Sequence, residues 1–404
     1  MIIKDLPEEF HKALPVLQSI QRAGYEAYFV GGSVRDTMLG LPIHDVDIAS
    51  SAYPAEIKSI FKRTVDTGIE HGTVMVLDHG KGYEVTTFRT ESGYQDFRRP
   101  DKVTFVRSLA EDLKRRDLTI NALAMNAAGE VVDLFTGLRD LKYHEIRAVG
   151  KPEERFHEDA LRMMRAVRFA SKLDFYIENE TLAAISDNAE LLSKIAIERI
   201  HEEWVKLMLG LNPARGLESF VNTGLYNYCP DFRDKRQQFE EMIKLPKIDL
   251  ISEEAVWTFL AYEFKCSSQE LTKLLRDWKC SNDMIKQTQA AYKALKAIMA
   301  EQATTDVLYR TGIDMLRVAN QVAHLFNRGM NDDYLLEAYN ELPIKSKHEL
   351  KINCKDLIVE CQIKPGPQMG KILNQLEEEV VNSRIANEHD LLVDRAQLLA
   401  NELN

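Results

Sequence analysis

Cysteine is scarce and scattered in this 404-residue chain: Cys229, Cys266, Cys280, Cys354 and Cys361 are odd in number and form no C-x-x-C pair. That argues against a disulfide framework and a structural zinc, and leaves the thiols as small hydrophobes. No apolar run reaches membrane-spanning length, and the opening, MIIKDLPEEFHKAL, lacks the basic-then-apolar layout of a signal peptide. The expected compartment is the cytoplasm, with no membrane partner. Positive charge is also short, with 52 Lys and Arg against 63 Asp and Glu, for a formal net charge of −11. An acidic sum disfavours a broad phosphate-binding surface, but contact with nucleic acid depends on where the cations sit. Arg98, Arg99, Lys102, Arg107, Lys114, Arg115 and Arg116 crowd one stretch. Lys151, Arg155, Arg162, Arg165, Arg168 and Lys172 form a second.

What is present points to a head and a long helical remainder. Phe10, Ala13, Leu14, Leu17 and Ile20 fall at helical spacing, and Gly24 stands where a helix stop belongs. Short β-branched and aromatic runs then predict strands over 25–30, 45–49, 73–78, 83–89, 103–106 and 131–134, with a hairpin turn at His79–Gly82. From Pro152 onward strand signals nearly vanish, and amphipathic helices follow one another, broken near Pro213, Pro230, Pro246, Pro343 and Pro365–Pro367. No internal repeat or low-complexity segment interrupts them. The expected architecture is an α+β head, a mixed sheet with flanking helices, over 1–150. An all-α neck (151–212), body (213–300) and tail (301–404) follow.

The chemistry concentrates in the head. Gly31 and Gly32 follow a strand and open a helix carrying Arg35 and Asp36, and Asp45-Val46-Asp47-Ile48 comes shortly after. Alternation on a strand points both aspartates one way while Val46 and Ile48 enter the core. Paired carboxylates on one face, with His44 falling on the other and no Cys in the segment, favour a hard cation such as Mg²⁺. The glycines allow backbone to approach phosphate, and a helix start favours its charge. Glu84, flanked by Tyr83 and Val85, supplies a third acid, so two cations have ligands available. A lone D-x-D is usually a solvated strand end, and a lone G-G-S a turn; their joint occurrence in this order points to phosphoryl chemistry.

The segment 30–50, VGGSVRDTMLGLPIHDVDIAS, resembles the first motif of the polymerase-beta nucleotidyltransferase superfamily. More closely, it is similar to the bacterial class II tRNA nucleotidyltransferases, of the shorter type without an HD domain. The resemblance implies that Asp45 and Asp47 hold the metal and act with Glu84 in catalysis, and that Gly32 and Arg35 contact the incoming nucleotide. Arg115-Arg116-Asp117, read as the end of a charged helix ahead of an apolar helix over 118–124, resembles the family's R-R-D motif. Arg116 and Asp117 would then meet the triphosphate and ribose.

Glu158, Asp159, Arg162 and Arg165 share one face of a helix if 158–169 is continuous. Read plainly, that is a pair of surface salt bridges; it also matches the family's E-D-x-x-R motif, a protein template for the base. Cytosine and adenine each place an amine donor beside a ring-nitrogen acceptor, which Asp159 and Arg162 complement, whereas guanine and uracil present the reverse. Arg165 and Arg168 are carried over as further nucleotide contacts.

The polar segment 91–100 matches the family's flexible loop, associated with the switch from C to A addition. Ile197-Glu198-Arg199-Ile200 matches its last motif, with Glu198 steadying the template helix. The implied activity is addition of C, C and A to the 3′ end of tRNA from CTP and ATP, with the helical remainder gripping the acceptor and T arms. Lys345 and Lys347 are candidate contacts, and the chain acts as a monomer or a homodimer. A poly(A) polymerase or a partial A- or CC-adding enzyme shares these motifs, and a non-catalytic RNA-binding protein shares the fold. His389-Asp390 is too little for an HD phosphohydrolase and reads as solvated helix.

Overall fold

The short strands before Pro152 assemble into one mixed sheet. Helix α1 (Glu8–Arg22) leads into β1 (Ala27–Val30), α2 (Gly32–Met38), β2 (Asp47–Ser50), α3 (Pro54–Ile60), β3 (Thr64–Gly68), β4 (Thr73–Asp78) and β5 (Lys81–Thr87). Next come β6 (Arg89–Gln95), β7 (Arg99–Phe105), α4 (Leu109–Lys114), β8 (Leu123–Met125), β9 (Val131–Asp133) and α5 (Gly137–Tyr143). The seven-stranded sheet runs β3-β4-β5-β2-β1-β8-β9. Its pairs are antiparallel except β2 with β5, which is parallel. Phe10, Ala13, Leu17 and Ile20 bury the apolar stripe of α1, and Phe10 meets Phe29 edge-on at 4.9 Å. His79 and Gly80 both take positive φ, 45° and 81°, which is the twist a two-residue hairpin requires.

This computed structural model describes residues 1–95 and 99–402, and divides into two compact units, Met1–Lys244 and Leu245–Asn404. The division falls inside the segment 213–300 that the sequence assigns to one body. In the first unit the sheet is followed by α6 (Pro152–Glu158), α7 (Leu161–Leu173), α8 (Asn179–Asn188), α9 (Ile197–Met208), α10 (Pro213–Asn222) and α11 (Arg236–Ile243). Trp204 on α9 is fully buried among Phe220, Phe232 and Phe239, with centroids 5.0 to 6.0 Å away. Each such ring contributes roughly 2–3 kcal/mol by burial alone.

The second unit is helical throughout its described elements: α12 (Glu253–Glu263), α13 (Ser268–Asp277), α14 (Asn282–Met299), α15 (Thr305–Thr311), α16 (Ile313–Leu325), α17 (Asp332–Asn340), α18 (Cys354–Val359), α19 (Pro367–Val381) and α20 (His389–Glu402). Leu357, Ile372, Leu376, Val380 and Leu392 form part of one of its cores. Lys345 and Lys347 are exposed, yet Lys345 donates to the carbonyl of Asn340 and Lys347 pairs with Glu377. No described helix is long and apolar enough to cross a membrane.

Three expectations are corrected. The apolar stretch 118–124 is not a helix: a single 3-10 turn at Thr119–Asn121 leads into β8, beside β1. Leu123, Ala124 and Met125 are buried on both faces, and a central strand of that kind carries no alternation to read. The segment 91–100 is largely an antiparallel ladder rather than a loop, since β6 and β7 pair from Arg89↔Phe105 to Gln95↔Arg99. Residues 96–98 of that segment lie outside the described residues. The third correction is a break at Asp159, taken up below.

Candidate active site

Gly31 caps α2 at φ 73°, and a Cβ added there would stand 3.0 Å from Arg116 Nη1. A side chain at that position is both strained and obstructed, so the glycine lets Arg116 lie against the turn. One turn into α2, Arg35 is 3% exposed; it donates to Asp36 at 2.8 and 2.9 Å and to Asn121 Oδ1, and lies over the ring of Phe169 at 4.9 Å.

The strand carrying the carboxylates starts at Asp47, two residues later than expected, which leaves Asp45 in the turn before it. Val46 and Ile48 are buried while Asp45 and Asp47 are exposed, so the alternation of faces holds. Ile48 pairs with Val85 of β5, which puts Glu84, also exposed, beside Asp47. The Asp47 carboxyl titrates above its ordinary range: crowding by protein is the largest cause, Glu84 adds repulsion, Arg116 opposes it, and Asp45 adds more. An oxygen-only donor set whose members repel one another suits a hard divalent cation.

Beside these carboxylates opens a cleft of about 550 Å³, lined by Gly31, Gly32, Arg35, Asp47, Arg115, Arg116, Asp117, Asn121, Asp159, Leu161, Arg162, Arg165, Phe169 and Arg199. Every site residue expected from the sequence reaches it except Asp45, Glu84 and Arg168. Arg116 is held by buried Asp112 and the carbonyl of Asn121. Burial works to raise the pKa of Asp117, but Arg165 at 2.6 Å, Arg162 and Asn121 outweigh it and hold the carboxyl well below its usual range. Arg168 stands behind Phe169, 4.0 Å above its ring, and forms an ion pair with buried Glu203 at 2.5 Å.

The template segment is not one helix. Asp159 is extended (φ −140°, ψ 105°) between α6 and α7, so Glu158 and Arg162 belong to different helices. Arg162 is nonetheless fixed, by Glu158 at 2.6 Å and by the carbonyl of Arg115 at 3.0 Å. Asp159 does not pair with Arg162. Its Oδ1 accepts from Leu161 N–H and Arg199 Nη1, and its Oδ2 from Arg199 Nη2. A carboxylate offers about four acceptor sites, so roughly one remains, on Oδ2. Glu198 is exposed; Arg199 and Glu203 are the α9 residues that reach the template segment.

Several of these residues escaped the sequence reading. Asn121 lay in a stretch read as helix, and Phe169 was an apolar position among others. Arg199 stood next to the residue chosen from its motif, with only its charge to distinguish it.

What the fold and the cleft define is a class, the nucleotidyltransferases, in which strand-edge carboxylates stand beside a nucleotide pocket. Comparison with known proteins narrows it. Residues 27–147 match the description "Poly A polymerase head domain", 174–235 "Probable RNA and SrmB- binding site of polymerase A", and 248–396 tRNA nucleotidyltransferase domain 2. The chain is 59% identical over 402 residues to the CCA-adding enzyme of Ligilactobacillus salivarius, with 100% of both chains covered. It is 55% identical over 406 residues to that of Lactiplantibacillus plantarum, again covering 100% of both. The structure of the Bacillus stearothermophilus CCA-adding enzyme in complex with CTP superposes with a TM-score of 0.90 at 38% identity, over 98% of this chain and 99% of that one. The chain belongs to the CCA-adding enzymes, which are tRNA nucleotidyltransferases.

Proposed function

We propose that this enzyme adds C, C and A in turn to the 3′ end of tRNA from CTP and ATP, in the cytoplasm, with Mg²⁺ held by Asp45 and Asp47 and aided by Glu84. The observation that carries the reading is the shared cleft. Asp47 lines the same cavity as Asp159 and Arg162, so the phosphate chemistry and the base selection meet on one nucleotide.

The RNA 3′-oxygen forms a bond to the α-phosphorus of the nucleotide, the bond from that phosphorus to the β-phosphate bridge breaks, and pyrophosphate leaves. Bound Mg²⁺ supplies charge neutralisation on the triphosphate and a more acidic 3′-hydroxyl. Arg116 and Arg35, with Gly32 leaving room, face the triphosphate, and Asp117 accepts from the ribose. The open acceptor of Asp159 takes the exocyclic amine of C or A, and Arg162 donates to the ring nitrogen. The rigid hold on both side chains turns a hydrogen-bond pattern into selection, worth roughly 1–3 kcal/mol per bidentate contact. Arg165 orients Asp117, and Arg168 acts from behind through Glu203 and Phe169. The head over 1–150, the neck over 151–212 and the helical segments beyond divide the work between chemistry and grip on the acceptor and T arms.

The test is extension of labelled tRNA lacking CCA by the purified protein with Mg²⁺. CTP plus ATP should add three nucleotides and stop, with no addition from GTP or UTP. Long A tails from ATP alone would make it a poly(A) polymerase, and no extension would leave a binding protein.

A further inference from the structure

Hydrogen bonds from a guanidinium lie in its plane, so carboxylate partners fix an arginine along its edges and leave its faces to whatever packs there. At the nucleotide cleft three arginines share one phenyl ring. Phe169 of α7 is 4% exposed and lines the cleft. The guanidinium carbon of Arg168 stands 4.0 Å from its ring centroid, that of Arg35 4.9 Å and that of Arg165 5.8 Å, all within cation–π range. Arg165 and Arg168 belong to the ring's own helix, whereas Arg35 reaches it from α2, so the contact ties the glycine turn of the head to the neck. Arg35 commits three of its five N–H groups, two to Asp36 and one to Asn121, which leaves two. Arg168 is held more loosely along its edge: Glu203 stands 2.5 Å away, yet no hydrogen bond aligns at the Arg168 Nε. Burial holds the Arg168 pKa below the usual arginine range; Glu203 opposes it and Arg165 adds repulsion.

We infer that Phe169 is a positioning residue for the incoming nucleotide: its π face seats Arg35 with two N–H groups left for the triphosphate, and gathers Arg165 and Arg168 on the same ring. The inference rests on the nucleotidyl-transfer reading above and adds to it. The face of a phenyl ring carries partial negative charge, and its pull on a cation grows when both are shielded from water, as here. An aliphatic side chain of similar size fills the space without that pull. The ring also has no part in choosing the base. Asp159 and Arg162 are held elsewhere, by Arg199, by Glu158 and by the carbonyl of Arg115. Phe169 therefore acts on what CTP and ATP share, the phosphates and the ribose, and serves both nucleotides alike.

The test changes the charge of the ring face while nearly keeping its shape. Phe169 is replaced by phenylalanines carrying one, two and three ring fluorines, each of which draws negative charge from the face. Calorimetry should show CTP and ATP binding more weakly in step along the series, by about tenfold from the natural ring to the trifluorinated one. The ratio of kcat/KM for CTP to that for UTP should stay within about twofold throughout. Phe169→Leu, apolar but without a π face, should bind both nucleotides at least as weakly as the trifluorinated protein. Affinity that stays flat along the fluorinated series overturns the inference, because a ring that only fills space is indifferent to its face; this holds whether or not the leucine variant folds. A CTP-to-UTP ratio that falls as steeply as the affinity also overturns it, by placing the ring with the base-selecting pair. A parent protein that binds neither CTP nor ATP sinks the nucleotidyl-transfer reading itself, which keeps the two failures apart.

Discussion

Arg199 of α9 grips both oxygens of the Asp159 carboxylate, at 3.3 and 2.8 Å, across 40 residues of chain. The residue assigned to read the amine of the incoming base is thus aimed by a different helix from the one it precedes. Arg199→Ala frees a carboxylate that sits in extended backbone. The ratio of CTP to UTP incorporation should fall about tenfold, with a smaller loss for Arg199→Lys, measured as kcat/KM for each nucleotide. Discrimination equal to that of the unmutated enzyme would show that Asp159 is held by the backbone break alone.

Asp47→Asn should separate activity from stability. The Asp47 carboxyl titrates above its ordinary range, so the fold loses stability as the pH rises from the ordinary carboxylate value to the raised one; the cost is complete above it and absent only below the ordinary value. The variant should be inactive, yet without metal it should melt about 1–2 °C higher than its parent at pH 8, and no higher at low pH. Added Mg²⁺ should raise the parent's melting temperature more at pH 8 than at pH 5.5, since protons compete for the ligands, and leave the variant's nearly unchanged. An asparagine variant less stable at pH 8 in metal-free buffer would count against the repulsion.

Asp117 has the opposite sign. Its pKa is depressed by its arginine partners, so the pairing stabilises the fold above about pH 4 and is lost as the pH falls through the folded value. Asp117→Asn should cost roughly 2–4 kcal/mol at pH 7, because it leaves Arg165 with only the longer pair to Glu203 at 3.8 Å, and progressively less in acid. Urea unfolding of both proteins from pH 7 to pH 3 decides it. A gap that does not narrow in acid removes the pairing as its cause.

At Gly31 the added methyl group of an alanine meets both a positive φ and Arg116. Gly31→Ala should destabilise by about 1–2 kcal/mol and raise the KM for both nucleotides. Binding of CTP followed by calorimetry is the direct readout, and undiminished affinity would show that Arg116 moves aside freely.

The head was legible because its signals are local. A glycine turn, two aspartates a residue apart and the motif around Asp159 each carry their meaning in adjacent positions, and the strands from 73 to 87 alternate as strands with one buried face do. What failed was whatever depends on a neighbour elsewhere in the chain. The run 118–124 looked helical because β8 is covered on both faces. Glu158 to Arg165 looked like one helix because nothing in the residue types announces the extended backbone at Asp159. Arg199 and Glu203 are ordinary helix residues until α9 is laid against α7.

All six arginines that line the large cleft already have a carboxylate: Arg35 has Asp36, Arg115 and Arg116 have Asp112, Arg162 has Glu158, Arg165 has Asp117 and Arg199 has Asp159. A guanidinium has five N–H donors and commits only some of them to its carboxylate, so on the proposed reading an arriving triphosphate meets cations already aimed, with donors to spare. Inorganic phosphate lacks a base to engage Asp159 and on the same reading gains the arginine contacts alone. The pairs thus balance much of the cleft's positive charge before any anion arrives, and the salt response of nucleotide binding should follow those local pairs rather than the net charge of −11.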